Sequence, residues 1–340
     1  MNSKESSISP DMSVIVCHHT GNLISGFIDS IFESTNVNFE VIVMTSNSEL
    51  ATKGIRDCRV FYHEGLPATK RNAGARLSKG RYLAFFDDDV TVSPDCLWKL
   101  KLSLIPTVGM VYGKLWNMEF RNRFDEAGSF LTATGFLWSR AGQNDIDEGQ
   151  FDKTEFVLAG KSASCMVKAN IFKLAGGFDE DFGILGEETD LSWRVWLSGF
   201  SVVFQPEATG YHAFNTKFKP KEKHYTSERV HFNGCRNYIT MLIKNLEWRN
   251  LWTKLIAQFT IWFSAGFVMI ITGRVQQGWN IWRGLGYILA NWKYLTNKRE
   301  RIQNNRVKSD RDLLPIIQRR PPRGYYTQRF TRYITQAIHG

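Results

Sequence analysis

Residues 82–89 read YLAFFDDD, an apolar run that ends directly in three aspartates. A run of this length and composition is typical of a buried β-strand. Two similar runs precede it, SVIV at 13–16 and VIVM at 41–44, and helix-length stretches separate the three, at 23–33 and 68–78. This alternation predicts an α/β fold with a Rossmann-like, mostly parallel sheet that is covered by helices on both faces. Ligands of such folds bind at the carboxyl ends of the strands, where the three aspartates lie.

The alternation continues beyond residue 89, but a polar insertion interrupts it. Residues 117–156 are polar and rich in glycine and aspartate, and they predict a long loop with short strands over a substrate site. Around this insertion, helices are predicted at 96–104, 169–174, 188–198 and 227–248, and strands at 108–112, 164–167 and 202–204.

The charge of the chain is divided between an acidic body and a basic C-terminal part, although the net charge is +10. Residues 1–213 hold 20 basic and 27 acidic side chains, whereas residues 214–340 hold 23 and 6. A basic segment of this kind favours an anionic partner. The sequence has no pattern typical of an RNA-binding or DNA-binding module, so we expect no nucleic-acid partner.

Five scattered cysteines and a polar N-terminus predict a location in the cytoplasm. The odd number of cysteines argues against a disulfide framework, and the absence of a Cys-x-x-Cys pair argues against a structural zinc site. Residues 1–12 have no apolar segment typical of a secretory signal, and we expect them to be disordered.

Three adjacent carboxylates, Asp87, Asp88 and Asp89, repel one another unless a cation or hydrogen-bond donors compensate their charge. A hard divalent ion, Mg²⁺ or Mn²⁺, is the natural ligand, because such ions bind carboxylates together with the phosphates of a substrate. The alternative is a solvated acidic loop. The position after a buried strand favours the metal site.

A second acidic cluster, Glu187, Glu188 and Asp190, begins the helix predicted at 188–198. One of these carboxylates could accept a proton from a hydroxyl group if burial raised its pKa toward the working pH. The alternative is purely structural, because acidic residues stabilise the first turn of a helix.

The order of these segments closely resembles glycosyltransferase family 2, the inverting nucleotide-sugar-dependent enzymes with the GT-A fold. The resemblance covers residues 12–240. It rests on the segments VIV, EVIVM, KRNAGARLSKGRYLAFFDDDV, GGFDEDFGILGEETDLSWRVWLSGF and PEATGYH, in that order. The stretch 125–152 is similar to bacterial rhamnosyltransferases and related surface-glycan enzymes.

The resemblance implies metal-binding and catalytic roles for particular residues. It implies Asp89 as the direct metal ligand, with Asp87 and His212 beside it. It implies Glu188 as the catalytic base, at a position where the family usually has an aspartate, and Asp190 is the alternative base.

The resemblance also implies contacts with the two substrates. The nucleotide sugar would contact Cys17, His18, Thr45, Lys70, Arg71, Asn72, Asp87 and Asp88. Thr45 replaces an aspartate that commonly contacts the base, and Lys70 and Arg71 could instead be solvent-exposed helix charges. Glu187, Trp193 and Arg194 would lie on the acceptor side, although the spacing of Trp193 and Trp196 on a helix also fits core packing.

An uncharged apolar stretch of 18 residues, 255–272, has the minimum length for a membrane span. A span would place residues 273–340, with 14 basic and 3 acidic side chains, on the side opposite the cytosolic nucleotide sugar, against the positive-inside tendency. We therefore expect an interfacial or re-entrant segment on an anionic membrane. The alternative is a helical hairpin packed on the catalytic domain.

These observations predict a metal-dependent inverting glycosyltransferase on the cytoplasmic face of the cell membrane. It would move a sugar from a UDP-, dTDP- or GDP-linked donor to a hydroxyl of a glycan or a lipid-linked acceptor in surface polysaccharide synthesis. The alternatives are a non-catalytic scaffold or sugar-binding relative and a nucleotidyltransferase. The predicted organisation is a GT-A domain at 13–240, a helical membrane-associating region at 241–300 and a basic, loosely folded tail at 301–340.

Overall fold

The computed structural model describes residues 9–18, 23–142, 145–213, 227–328 and 331. Its strands are β1 Met12–His18, β2 Phe39–Thr45, β3 Cys58–Tyr62, β4 Tyr82–Asp87, β5 Val90–Val92, β6 Val108–Asn117, β7 Phe124–Glu126, β8 Ser129–Leu131, β9 Leu137–Ser139, β10 Glu155–Phe156, β11 Ser164–Lys168 and β12 Ser201–His212. Its α-helices are α1 Ile24–Phe32, α2 Ser48–Lys53, α3 Pro67–Leu77, α4 Cys96–Ser103, α5 Ala169–Leu174, α6 Glu187–Leu197, α7 Ser227–Asn245, α8 Trp248–Ile271, α9 Val275–Ala290, α10 Trp292–Asn304 and α11 Asp310–Ile317. The predictions made for residues 1–8 and 332–340 fall outside the described residues.

The central sheet is mixed but mostly parallel, and its strands follow the order β10-β12-β6-β11-β4-β1-β2-β3. The strands β4, β1, β2 and β3 pair in parallel, and so do β6 and β12. Strand β11 runs antiparallel between β4 and β6. Outside this path, β5 pairs with β12 and β7 pairs with β6.

Helices cover both faces of the sheet, as the sequence predicts. Ile15 and Phe85 belong to a core shared with α3, α5 and α6, whereas Val14 and Phe86 belong to a second core with α1 and α4. Because strands β1 and β4 are buried on both faces, their sequences are continuous apolar runs. Met12, which the sequence assigns to a disordered N-terminus, is instead the first residue of β1 and is buried.

The parallel strands bring their carboxyl ends to the same edge of the sheet. His18 at the end of β1 lies opposite Thr45 at the end of β2. Cys17 lies opposite Asp87, the last residue of β4. This register places three predicted site segments side by side, although they are far apart in the sequence.

Strand β12 is much longer than the strand predicted at 202–204, because it runs through to His212. After an irregularity near Gln205, its second half pairs in parallel with the end of β6 and antiparallel with β5. Its buried positions there hold small or polar residues, Ala208, Gly210 and His212, instead of an apolar run. Buried and more exposed positions alternate along this half of the strand, but the sequence therefore does not show the matching alternation of apolar and polar residues.

The C-terminal helices pack on the sheet and its helices instead of forming a separate unit. Leu242 in α7, Trp262 in α8 and Ile281 in α9 belong to the same continuous apolar core as Ile15 in β1. The predicted boundary after residue 240 falls within α7 and is therefore not a domain boundary.

The prediction of a loosely folded tail from residue 301 is wrong for residues 301–318. Helix α10 continues to Asn304, and α11 begins with a capping box of Ser309 and Asp312. Helix α11 buries Leu313 and Ile317 against the main core. The tail is ordered because its few apolar residues lie on one face of this short helix.

Helix α8 has one packed side and one exposed apolar side. Among the described residues it is the one helix that is long and apolar enough to cross a membrane by length and composition. Leu251, Leu255 and Trp262 on its packed side are buried. Its other side exposes more than half of each of the side chains of Trp252, Ile256, Phe263, Phe267 and Ile271. The hairpin packing given as the alternative therefore holds for one side of the helix, and the other side is compatible with membrane association.

Candidate active site

Asp87 ends β4, and Asp88 and Asp89 form the tight turn that leads into β5. Asp88 and Asp89 are buried, so this turn is not a solvated acidic loop. His212 reaches Asp89 because β12 pairs with β5, which places His212 opposite Val90. The distance from His212 Nε2 to Asp89 Oδ1 is 3.3 Å.

Asp87, Asp89 and His212 form a group that could hold a metal ion. Each offers one ligand atom, and these atoms all lie within 4.8 Å of one another. Two carboxylates and one imidazole make a donor set that fits a divalent cation. The three residues are those that the family resemblance implies as metal ligands.

Asp125 and Lys161 extend this group on the side of His212 away from Asp89. Asp125 Oδ2 lies 2.8 Å from His212 Nδ1, and Lys161 Nζ donates to Asp125 Oδ1 at 2.6 Å. Burial alone would lower the pKa of His212, but the carboxylates of Asp89 and Asp125 outweigh burial and raise it to about 10. A carboxylate behind a metal-binding histidine orients the ring and fixes its tautomer.

Arg71 joins the two acidic clusters of the sequence. Its guanidinium donates to Asp87 Oδ1 at 2.8 Å and to Glu187 Oε1 at 3.1 Å. Its neighbour Lys70 is fully buried, and Lys70 Nζ donates to the carbonyl of His18 at 2.8 Å. Neither residue is a solvent-exposed helix charge, because both long side chains lie in the interior at the strand ends.

The residues at the ends of β1 and β2 also contact one another. His18 Nδ1 and the Thr45 hydroxyl share a hydrogen bond of 2.8 Å, and the same hydroxyl oxygen accepts from the backbone N–H of Asn47 at 2.9 Å. The thiol of Cys17 is buried, which raises its pKa to about 12. Cys17 is therefore a neutral thiol within the core.

Asn72 holds the loop before α6 instead of facing the strand ends. Its amide group donates to the carbonyl of Phe178 at 2.8 Å and accepts from the backbone N–H of the same residue at 2.9 Å. It also donates to Glu180 at 2.9 Å. These contacts give Asn72 a structural role in positioning the acidic loop.

The two carboxylates considered as the base have different environments. Asp190 is fully buried and accepts hydrogen bonds from Arg194, Lys244 and Asn245 at 2.9 to 3.0 Å. Burial alone would raise the pKa of Asp190, but Lys244 and Arg194 outweigh burial and lower it. A carboxylate with all these donors anchors α6 to α7 and has no access to a substrate hydroxyl.

Glu188 is partly exposed and lies in the wall of a cavity. Burial raises its pKa well above the usual value of a glutamate, and the neighbouring carboxylate of Glu187 adds to this rise. A raised pKa brings a carboxylate closer to the pH at which it exchanges a proton with a hydroxyl. Of the two candidates, the geometry favours Glu188.

The acceptor-side assignments of Trp193 and Arg194 are wrong. Trp193 has no exposed surface and packs in the main core, so it cannot stack on a sugar. Arg194 is buried and binds Asp190 and the carbonyl of Ala175. Both side chains point into the interior because the whole of α6 is enclosed, except at Glu188. The core-packing alternative for Trp193 is the correct one.

Asn237 on α7 is a site residue that the sequence does not reveal. Its amide nitrogen Nδ2 lies 2.8 to 2.9 Å from the carbonyl oxygens of Phe182, Ile184 and Leu185. Leu185 has φ of 74°, a left-handed conformation that costs free energy in a non-glycine residue. Asn237 thus holds the strained loop that leads into the first turn of α6. An asparagine within a helix carries no sequence signal for this role.

Comparison with known sequences relates part of the chain to glycosyltransferases. Residues 13–131 match the family described as glycosyl transferase family 2. The O-antigen biosynthesis protein RfbC of Myxococcus xanthus is 28% identical over 216 residues, which are 57% of this chain and 16% of RfbC. The chain spans only 16% to 23% of the length of the curated relatives it matches.

Among the solved structures that share the fold, two were solved with a nucleotide or nucleotide sugar and Mn²⁺. GalNAc-T7, solved with UDP, GalNAc and Mn²⁺, is 15% identical and has a TM-score of 0.52, covering 70% of this chain and 48% of that one. The mannosyltransferase PcManGT of Pyrobaculum calidifontis, solved with GDP-Man and Mn²⁺, is 16% identical and has a TM-score of 0.50, covering 88% of this chain and 86% of that one. Residues 13–131 therefore match glycosyl transferase family 2, and the chain has the GT-A fold of these solved structures.

Proposed function

We propose that this protein is a metal-dependent, inverting glycosyltransferase that moves a sugar from a nucleotide-sugar donor to a hydroxyl group of an acceptor. The observation that carries the proposal is the bridge made by Arg71. It links Asp87, in the possible metal group, to Glu187, which adjoins the candidate base Glu188. The buried Arg71 guanidinium thus connects the edge of the sheet that would bind the metal to the first turn of α6, which carries the proposed base Glu188.

The donor side of the proposed site consists of the strand ends. Asp87, Asp89 and His212 would hold Mg²⁺ or Mn²⁺, and the bound ion would neutralise charge on the departing diphosphate. Asp125 accepts from the His212 ring and keeps Nε2 directed at Asp89. Lys70 and Arg71 add positive charge in a buried setting, where it acts more strongly on an anion than in water.

Glu188 is the proposed base. Its carboxylate would take the proton of the acceptor hydroxyl while the hydroxyl oxygen forms a bond to the anomeric carbon of the donor sugar. The bond from that carbon to the nucleoside diphosphate breaks on the opposite face, so the configuration inverts. Glu187 is held by Arg71, whereas Glu188 is the acidic residue of this turn that lines the cavity.

The donor and the pathway are proposed from the relatives. GalNAc-T7 was solved with UDP and PcManGT with GDP-Man, so UDP-, GDP- and dTDP-linked sugars are the donors to test. RfbC is named for O-antigen biosynthesis, which supports a surface glycan as the product. The acceptor would be a glycan or a lipid-linked glycan.

The exposed side of α8 supports a peripheral position on a membrane, and we propose the cytoplasmic face because the nucleotide-sugar donor would be cytosolic. Apolar side chains of α9, Val275, Trp279 and Leu289, are more than half exposed as well. An apolar surface flanked by basic residues binds at the headgroup boundary of an anionic bilayer.

A transfer assay with Mn²⁺ and the three classes of donor tests the proposal, with a membrane lipid extract as the acceptor and release of the nucleoside diphosphate as the readout. We expect Asp89→Asn and Glu188→Gln to reduce transfer by about 10² to 10⁴-fold. Asp57→Asn and Glu33→Gln are matched controls, because both residues are exposed and precede β3 and β2, at the edge of the sheet opposite the carboxyl ends, and they should transfer at the parental rate. Full transfer by both site variants would refute the proposal.

Calorimetry separates the enzyme from a non-catalytic scaffold. A scaffold without a donor site would bind neither Mn²⁺ nor any of UDP, dTDP and GDP. Binding of one nucleoside diphosphate that depends on Mn²⁺ supports the enzyme.

A further inference from the structure

A large cavity lies between the first turn of α6 and the helices α7 and α8. Its volume is about 780 Å³, within the range of sites that bind small organic molecules. Most of its surface is apolar, and the side chains that provide it include Phe136, Leu137, Met241, Ile261, Trp262 and Ala265. The proposed base, Glu188, and its neighbour Thr189 also line this cavity. Neither the donor site nor the metal group accounts for this cavity.

The chemistry of the lining restricts what can bind there. A free sugar would have to give up hydrogen bonds with water for each hydroxyl group that it placed against apolar carbon, at a cost in free energy. An apolar chain would instead gain free energy in proportion to the surface it removed from water. The cavity therefore suits a hydrocarbon better than a glycan.

Helix α8 connects this cavity to the exposed apolar surface. Trp262 and Ala265 on one side of α8 line the cavity and are almost fully buried. Phe263 and Phe267 on the opposite side are more than half exposed. A helix is only about 10 Å wide, so the cavity lies one helix away from the surface proposed to contact the membrane.

We propose that this cavity binds the hydrocarbon chain of a lipid-linked acceptor, next to Glu188. The proposal rests on the function proposed above and specifies the class of acceptor. The chain would lie along α7 and α8, and the head group that carries the hydroxyl would reach Glu188. A lipid that leaves the bilayer beside α8 has a short path to this position. A water-soluble acceptor would not need the site to be close to the membrane.

Binding of farnesyl phosphate to the full chain, measured by equilibrium dialysis without donor, tests the proposal. Gly234 on α7 lines the cavity, and a Cβ added there would meet only Trp262, at 3.8 Å. The Gly234→Leu variant therefore fills part of the cavity without a backbone clash. Gly286→Leu on α9 is the matched control, because Gly286 is an exposed helical glycine with open space around it.

We expect Gly234→Leu to weaken the binding of farnesyl phosphate by about tenfold, the effect of excluding about two methylene groups from the cavity. Gly286→Leu should bind as the parent does. Circular dichroism checks that both variants fold. Thr260→Trp, at an exposed position of the cavity rim, is a second variant with the same expected direction in case Gly234→Leu does not fold.

Two results would overturn the cavity assignment. One is an absence of farnesyl phosphate binding by the parent. This result would also be obtained if other residues of the chain filled the cavity. The other is unchanged binding by Gly234→Leu and Thr260→Trp. Sugar transfer by the parent is measured separately, in the assay proposed above. Binding of farnesyl phosphate without transfer would support the cavity assignment and refute the proposed function, and transfer without binding would do the reverse.

Discussion

Replacing Asp190 with asparagine should destabilise the fold, whereas replacing Glu188 with glutamine should not. Asp190 is fully buried, and two cations, Arg194 and Lys244, each lie 2.9 Å from its carboxylate. Removing one partner of a buried ion pair costs about 3 to 5 kcal/mol, because the other charge stays buried without compensation. Lys244 keeps a second carboxylate, Asp179, at 2.5 Å. We therefore expect the lower end for Asp190→Asn, a loss of about 3 kcal/mol in the free energy of unfolding.

The pH dependence of this loss follows from the pKa of Asp190. Lys244 and Arg194 lower it in the folded state. A carboxyl group with a lowered pKa stabilises the fold above the unfolded-state value of about 3.9, and its contribution is lost as the pH falls through the folded-state value. The difference in stability between parent and Asp190→Asn should be constant above pH of about 5 and should shrink below pH of about 4.

Urea unfolding followed by circular dichroism measures these free energies. Asp57→Asn is the control, because its side chain is exposed and an exposed substitution changes stability by less than about 0.5 kcal/mol. If Asp190→Asn were as stable as the parent and lost transfer, Asp190 and not Glu188 would be the base. Glu188→Gln should then retain transfer, which the assay proposed above would detect.

Three further predictions address the metal group, the loop before α6 and the membrane surface. Asp125→Asn should weaken Mn²⁺ binding by about 10 to 100-fold in a calorimetric titration, because the His212 ring loses its charged partner; unchanged affinity would exclude His212 as a ligand oriented by Asp125. Asn237→Ala should cost about 1 to 3 kcal/mol in urea unfolding and lower the transfer rate, because the carbonyl groups it binds lose their donor; an unchanged rate would show that this loop needs no support. Phe267→Glu should reduce sedimentation with anionic vesicles by about tenfold, whereas Phe120→Glu, at an exposed phenylalanine outside the C-terminal helices, should not. Equal losses in both variants would remove α8 from the membrane contact.

The part of the site that depends on parallel strands could be predicted from the sequence. Strand runs alternating with helices fix the position of the strand ends, so His18, Thr45 and Asp87 lie together for topological reasons alone. For His212, the family resemblance gives the prediction. Its path to Asp89 depends on the second half of β12, where small and polar residues conceal the strand.

The part that depends on tertiary partners could not be predicted. Glu188 and Asp190 are two residues apart, and the sequence offers no means to distinguish them. Lys244 and Asn245, more than fifty positions away on α7, determine that Asp190 is an anchor. The burial of Trp193 and the ordered tail have the same origin, because each depends on helices that pack only in the complete fold.

The contact between the tail and the polar insertion has a consequence for the order of events during synthesis. The backbone N–H of Arg319 donates to the carbonyl of Leu131 at 2.9 Å, and Tyr325 donates to the carbonyl of Leu137 at 2.9 Å. Strands β8 and β9 therefore make these contacts only after Arg319 and Tyr325 have been synthesised, and Tyr325 follows Leu137 by 188 residues. The sheet can form while translation continues. The C-terminal segment can pack on the β8–β9 hairpin only after residue 325 has emerged from the ribosome. A ribosome-stalled chain that ends before α11 should accordingly expose Phe130 and Leu131 to proteases and chaperones.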